Sequence, residues 1–114
     1  MDITIFGKVV RGKSKGKILG FPTANINLDG NDKIESGVYA GSVKVGDKTY
    51  KAGIFVNSDG ALLEAHIIGF SGDLYGKEIE VEIREKMRDI IKFKSEEALK
   101  RQIKKDIEFI CLRE

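Results

Sequence analysis

Lys77-Glu78-Ile79-Glu80-Val81-Glu82-Ile83-Arg84 alternates apolar and charged side chains. A period of two puts Ile79, Val81 and Ile83 on one face of an extended chain and the glutamates on the other, which predicts a strand with one wet face. Working outward, the same reading applies upstream. Leu62 to Phe70 reads as a strand entered through the turn residues Asn57-Ser58-Asp59-Gly60. Val38 to Val45 and Lys48 to Val56 flank Gly46-Asp47, a two-residue link of the kind that primed hairpin turns use. Thr23 to Leu28 stops at the turn cluster Asp29-Gly30-Asn31-Asp32, and Ile3, Ile5, Val9 and Val10 lie in a first strand. The period changes at Ser95, a good N-cap. Glu96 and Glu97 suit the positive end of a helix dipole, and Leu99, Ile103, Ile107 and Ile110 recur at helical spacing. Six strands with hairpin-type links and one C-terminal helix predict a mainly β fold, an antiparallel barrel whose open end or seam the helix covers.

At 114 residues the chain is expected to form one domain over 1–114, with no room for a second catalytic module. No apolar run approaches the ~20 residues of a membrane helix, so no membrane partner is expected. Met1-Asp2-Ile3-Thr4-Ile5 alternates like a strand and lacks the basic flank and apolar stretch of a signal peptide. A cytoplasmic monomer is the expectation. Cys111 is the one cysteine, which excludes an internal disulfide or a cysteine-rich zinc site; its place near the end of an amphipathic helix predicts a small buried apolar residue. The net charge of +2 is too small to argue by itself for a nucleic-acid partner. Lys8, Arg11, Lys13, Lys15 and Lys17 nevertheless concentrate positive charge, which suits a nucleotide's phosphates or a nucleic-acid backbone. Few aromatics interleave with these cations, so a barrel binding single-stranded nucleic acid ranks low and no nucleic acid is expected.

The cations surround Gly16-Lys17-Ile18-Leu19-Gly20-Phe21-Pro22-Thr23-Ala24-Asn25. Its glycines let a backbone approach a bulky anion, while Pro22 fixes φ and pushes Phe21 toward an extended conformation. If Thr23 and Asn25 lie on a strand, they present a hydroxyl and an amide oxygen on one face, donors that suit a Mg²⁺ bound to phosphate. A plain Gly/Pro bend is the competing reading. Just upstream, Gly7-Lys8-Val9-Val10-Arg11-Gly12-Lys13-Ser14 satisfies G-x-x-x-x-G-K-[ST] literally. A P-loop needs a helix opening at its Lys-Ser, and Gly16, Gly20 and Pro22 forbid one here. In Leu63-Glu64-Ala65-His66-Ile67, period two puts Glu64 and His66 together, opposite the apolar three. Glu64 is either solvated or a carboxylate held in a pocket. His66, the one histidine, lacks a second histidine or a cysteine with which to bind metal, so it reads as a packing or hydrogen-bonding neighbour. Tyr75 reads as a barrel corner.

Gly16 to Asn25 resembles the G-(K/R)-x-L-G-(F/I)-P-T-A-N signature of the riboflavin kinase (flavokinase) family. Gly7 to Gly12 is similar to its first strand, Gly37-Val38-Tyr39-Ala40 to its G-V-Y segment, and Leu63 to Ile67 to its L-E-x-H-(I/L) strand. Asp73-Leu74-Tyr75-Gly76-Lys77 resembles a D-L-Y-G-K turn, and Arg88 through Lys92-Phe93, Leu99, Gln102-Ile103 and Asp106 resembles the closing segment and helix. The likeness runs in order along nearly the whole chain. It implies a six-stranded Greek-key barrel and transfer of the γ-phosphate of a nucleoside triphosphate, ATP by expectation, to the 5′-hydroxyl of riboflavin, giving FMN. The implied roles are Glu64 as catalytic base, Thr23 and Asn25 on Mg²⁺ and phosphate oxygens, Gly12 and Lys17 cradling phosphates, and Arg88 in a flap over the flavin ring. Riboflavin and ATP are the expected small-molecule partners. With no room for the adenylyltransferase often fused to this kinase, the expected product is FMN alone. A flavin-binding module without efficient turnover is the alternative. The segment Ile54 to Gly60 is shorter than in many members, predicting a more open flavin pocket, and Ile90 stands where an acidic residue is usual.

Overall fold

The computed structural model describes residues 2–12, 20–28 and 34–113. The strands are β1 Ile3–Val10, β2 Ala24–Asn27, β3 Gly37–Val45, β4 Lys48–Val56, β5 Leu62–Ile67 and β6 Glu78–Arg88, and the one helix among the described residues is α1 Glu96–Leu112. All neighbours are antiparallel. The order β1-β2-β5-β4-β3-β6 closes into a barrel because β6 pairs with both β3 and β1. The step that carries β2 beside β5 is a Greek-key excursion, and closure removes unpaired sheet edges.

Strand alternation fills the interior. Ile5 and Val9 of β1, Ile26 of β2, Val43 of β3, Ile54 and Val56 of β4, Leu63 and Ala65 of β5, and Val81 and Ile83 of β6 are buried together. Branched side chains dominate this layer, as a small closed barrel requires. The hairpin from β3 to β4 turns at Gly46, whose φ of +62° is the left-handed value that such a two-residue turn needs.

Four details differ from the sequence reading. β2 begins at Ala24, which leaves Thr23 one step outside the ladder. β6 runs on to Arg88, four residues past the predicted end, because β3 follows it through two register shifts. The helix packs on the outer wall at β4, where the sequence reading has it cover an open end or seam, and Gly53 makes room there: a Cβ would lie 3.3 Å from Ile110 Cδ1. Cys111, predicted buried, is exposed, since it lies about 100° around the helix from the buried Ile110. Ser95 caps α1 as predicted, its Oγ accepting from the Ala98 N–H at 3.1 Å. No basic residue occupies the last turn, and Lys51 of β4 supplies that charge by donating to the Cys111 and Arg113 carbonyls.

At one end of β6 the Lys86 ammonium lies 2.8 Å from both Glu35 and Asp89, and the Tyr39 hydroxyl donates to the Glu35 carbonyl at 2.6 Å. Hydrogen bonding from Lys86 lowers the Asp89 pKa, the Asp89 and Glu35 carboxylates raise that of Lys86, and burial raises that of Tyr39. The signs follow from linkage. The Asp89 contribution to stability is present above its unfolded pKa and fades as pH falls through the lowered folded value; the Lys86 contribution is complete below its unfolded pKa and fades as pH rises through the raised one. Lys86→Met is therefore expected to move the Asp89 titration up toward an ordinary aspartate, read by NMR. An unmoved titration overturns the pairing.

Candidate active site

The β2–β5 ladder sets Asn25 directly opposite Glu64, so both side chains leave the outer face of the barrel next to each other. Thr23, two residues before Asn25, points the same way. Its Oγ1 donates to Glu64 Oε1 at 3.2 Å. His66 follows Glu64 by two residues, and its Nδ1 meets the Pro22 carbonyl at 2.9 Å while its ring packs edge-on against Phe21. Period two along β5 and along residues 23–25, joined by the β2–β5 pairing, therefore brought Glu64, His66, Thr23 and Asn25 to one patch, and His66 is the hydrogen-bonding neighbour that its isolation suggested.

Two cavities adjoin this patch. One, about 730 Å³, lies between α1, the segment 90–95 and the outer faces of β4 and β5. Phe55, Ile90, Phe93, Leu99, Ile107 and Ile110 make it chiefly apolar, and Glu64, His66 and Arg88 add polar groups to its wall. Its size and character suit a planar organic ring system. The tight turn at 57–60 is not part of this wall, but Ile54 and Phe55, at the start of the shortened segment, are. The second cavity, about 560 Å³, is bounded by residues 9–12, 22–25 and 70–75. Thr23 belongs to both walls.

Asn25 sits at the second cavity and is only 7% exposed. Its Oδ1 is buried without a hydrogen-bond partner among the described residues. Leaving such an acceptor unsatisfied costs about 1–3 kcal/mol, so the oxygen calls for a cation or a donor beyond the described residues. Gly12 stands against the same amide, where a Cβ would intrude to 2.5 Å from Asn25 Cγ and Oδ1. Among the described residues no group of three His, Cys, Asp or Glu could hold a metal. The donor set thus fits a hard cation that brings its own phosphate oxygens, with Thr23 and Asn25 supplying neutral oxygen ligands. Lys17 lies outside the described residues, as does the glycine turn before Gly20.

Arg88 ends β6 and pairs with Asp106 of α1, Nη2 to Oδ2 at 2.9 Å and Nε to Oδ1 at 3.2 Å. Gln102 donates to the same carboxylate, and the guanidinium lies over the Phe93 ring. The arginine lines the apolar cavity, and it also ties the helix to the barrel. Asp106, named in the closing segment without a role, is the partner. Its signal was available: it lies three residues after Ile103 and four before Ile110, so its carboxylate falls within the apolar stripe and needs a counter-charge. Arg11 stacks over the Tyr75 ring, 4.1 Å from its centroid, on the rim of the second cavity. Tyr75 is thus more than a corner.

The family model Flavokinase, described as riboflavin kinase, matches residues 1–111. The bifunctional riboflavin kinase/FMN adenylyltransferase of Haemophilus influenzae is 40% identical over 111 residues, covering 91% of this chain and 36% of that protein. The solved riboflavin kinase of Trypanosoma brucei superimposes with a TM-score of 0.72 at 26% identity, over 96% of this chain and 77% of that one. A solved Streptococcus pneumoniae protein bearing the name macrolide-efflux protein superimposes with a TM-score of 0.87 at 33% identity, over 97% of this chain and 39% of that one. The chain spans little more than a third of the length of the bifunctional relative. No helix among the described residues is long and apolar enough to cross a membrane. The likeness first seen in scattered motifs is continuous in sequence and in backbone, and the chain belongs to the riboflavin kinase (flavokinase) family.

Proposed function

We propose that this domain moves the γ-phosphate of ATP to the 5′-hydroxyl of riboflavin, yielding FMN and ADP. The observation that carries the reading is Thr23, which lines both cavities and donates its hydroxyl to Glu64. Riboflavin occupies the apolar cavity, with Arg88 in its wall, and the nucleotide occupies the other. The reacting oxygen and phosphorus then meet at the wall they share. Glu64 accepts the proton of the 5′-hydroxyl as that oxygen forms its bond to the γ-phosphorus; the bond from this phosphorus to the β–γ bridging oxygen breaks, and ADP carries away the electron pair. A positioned base contributes roughly 10²- to 10⁴-fold, and alignment supplies much of the remainder. Gly12 leaves space beside the phosphates, with Lys17 as a cation for them. Thr23 and Asn25 are the residues to hold Mg²⁺, which supplies charge neutralisation on the phosphate oxygens when bound.

The direct test supplies riboflavin, Mg²⁺ and each of the four nucleoside triphosphates and measures FMN. Formation of FMN with ATP is expected. Riboflavin binding without FMN from any donor overturns the kinase reading in favour of a binding module.

A further inference from the structure

We propose that His66 is a positioning residue whose Nδ1–H grips the Pro22 carbonyl and so sets the Thr23 hydroxyl against Glu64. The proposal rests on the kinase reading above and adds a residue to it. The ladder between β2 and β5 begins at Ala24 and Ala65, so Phe21, Pro22 and Thr23 lie beyond its last rung. Pro22 has no N–H to contribute, and its fixed ring leaves the carbonyl as this residue's one backbone hydrogen-bonding group. Nδ1 of His66 meets that carbonyl at 2.9 Å. On the same face of β5, Glu64 accepts from Thr23 at 3.2 Å.

Two side chains of one strand therefore hold two successive residues of the incoming turn, where the backbone ladder no longer does so. The Phe21 ring braces the arrangement, 5.7 Å from the imidazole centroid and nearly perpendicular to it. A carbonyl oxygen only accepts, so Nδ1 carries the hydrogen and Nε2 is left bare in the neutral ring. Released from this grip, Pro22 and Thr23 could swing away from Glu64. The nucleotide side, where Thr23 is proposed to ligate, would feel the loss first.

The test has two arms. His66 is the one histidine of the chain, so its ring nitrogens are readable by ¹⁵N NMR without assignment. At alkaline pH the Nδ1–H tautomer is expected. Finding the Nε2–H tautomer, which free imidazole side chains prefer, overturns the proposal whether or not FMN is formed. The second arm compares His66→Asn with His66→Gln. An Asn amide nitrogen lies as many bonds from Cα as Nδ1 does, whereas the Gln nitrogen lies one bond further out. Loss of one such hydrogen bond in the Gln variant should raise KM for Mg-nucleotide by about five- to tenfold. Asn should recover most of that loss; His66 also borders the apolar cavity, so any rise in KM for riboflavin is expected to stay below the rise for Mg-nucleotide. Equal impairment by Asn and Gln, a loss confined to riboflavin, or parallel losses for both substrates that track the melting temperature would each overturn the role. Absence of FMN formation by the parent chain counts against the kinase reading alone; calorimetric binding of Mg-ATP then takes the place of KM.

Discussion

Glu64→Gln is expected to lower turnover by about 10²-fold or more while leaving riboflavin affinity and melting temperature close to parental values. The substitution removes a proton acceptor and little else. Glu64 is half-buried on the outer face of β5, and its contact in the protein is an accepted hydrogen bond from Thr23. A glutamine carbonyl oxygen can accept that same bond, so the turn and the barrel keep their geometry. A group that matters only as the proton leaves need not contribute to the ground state, which is why affinity should survive. Other roles give other patterns. A solvated strand residue would leave turnover within a few-fold of the parent, and an anchor of the barrel would lose stability along with activity. Steady-state kinetics and a thermal melt on this one variant separate the three. Near-parental turnover removes Glu64 from the mechanism.

Strands that bury one face were the legible ones, and the period of two survives in Ile79-Val81-Ile83 and Leu63-Ala65-Ile67. That same period placed Glu64 beside His66 and Thr23 beside Asn25. It failed where burial stops alternating. Glu85 to Arg88 carry no apolar rhythm, yet they remain in β6 because β3 pairs with them through register shifts, a feature that no local pattern encodes. The site shows the same division. Residue types and spacing within one strand can be read, but the contacts between Thr23 and Glu64 and between Pro22 and His66 cross 41 and 44 positions of chain. They exist because the barrel seats β2 against β5, so topology had to come first. Arg88 illustrates the limit from the other side: its motif suggested a flap, whereas its pairing with Asp106 follows from where α1 lies on the wall.

Gly12→Ala should reduce kcat/KM for Mg-nucleotide by about 10²-fold, the scale expected when a ligating group is displaced by roughly 1 Å. The new Cβ would stand 2.5 Å from Asn25 Cγ and Oδ1, well inside van der Waals contact. Asn25 has little room to yield, since β2 is held by β1 on one side and β5 on the other and the side chain is buried. Asn25→Ala alone should also impair nucleotide use, yet it deletes a buried oxygen with no partner among the described residues and so should hold or raise the melting temperature. The double variant decides what the glycine is for. If Gly12 serves to leave space for the Asn25 amide, adding Gly12→Ala to Asn25→Ala costs almost nothing further, a coupling of ~2–3 kcal/mol. If the Gly12 backbone instead cradles phosphate independently, the two losses add. Riboflavin affinity in the absence of nucleotide is the internal control, because neither residue borders the apolar cavity. Additive losses would return Gly12 to the phosphates; a parallel fall in riboflavin affinity and melting temperature would show that the pair supports the barrel and not the nucleotide.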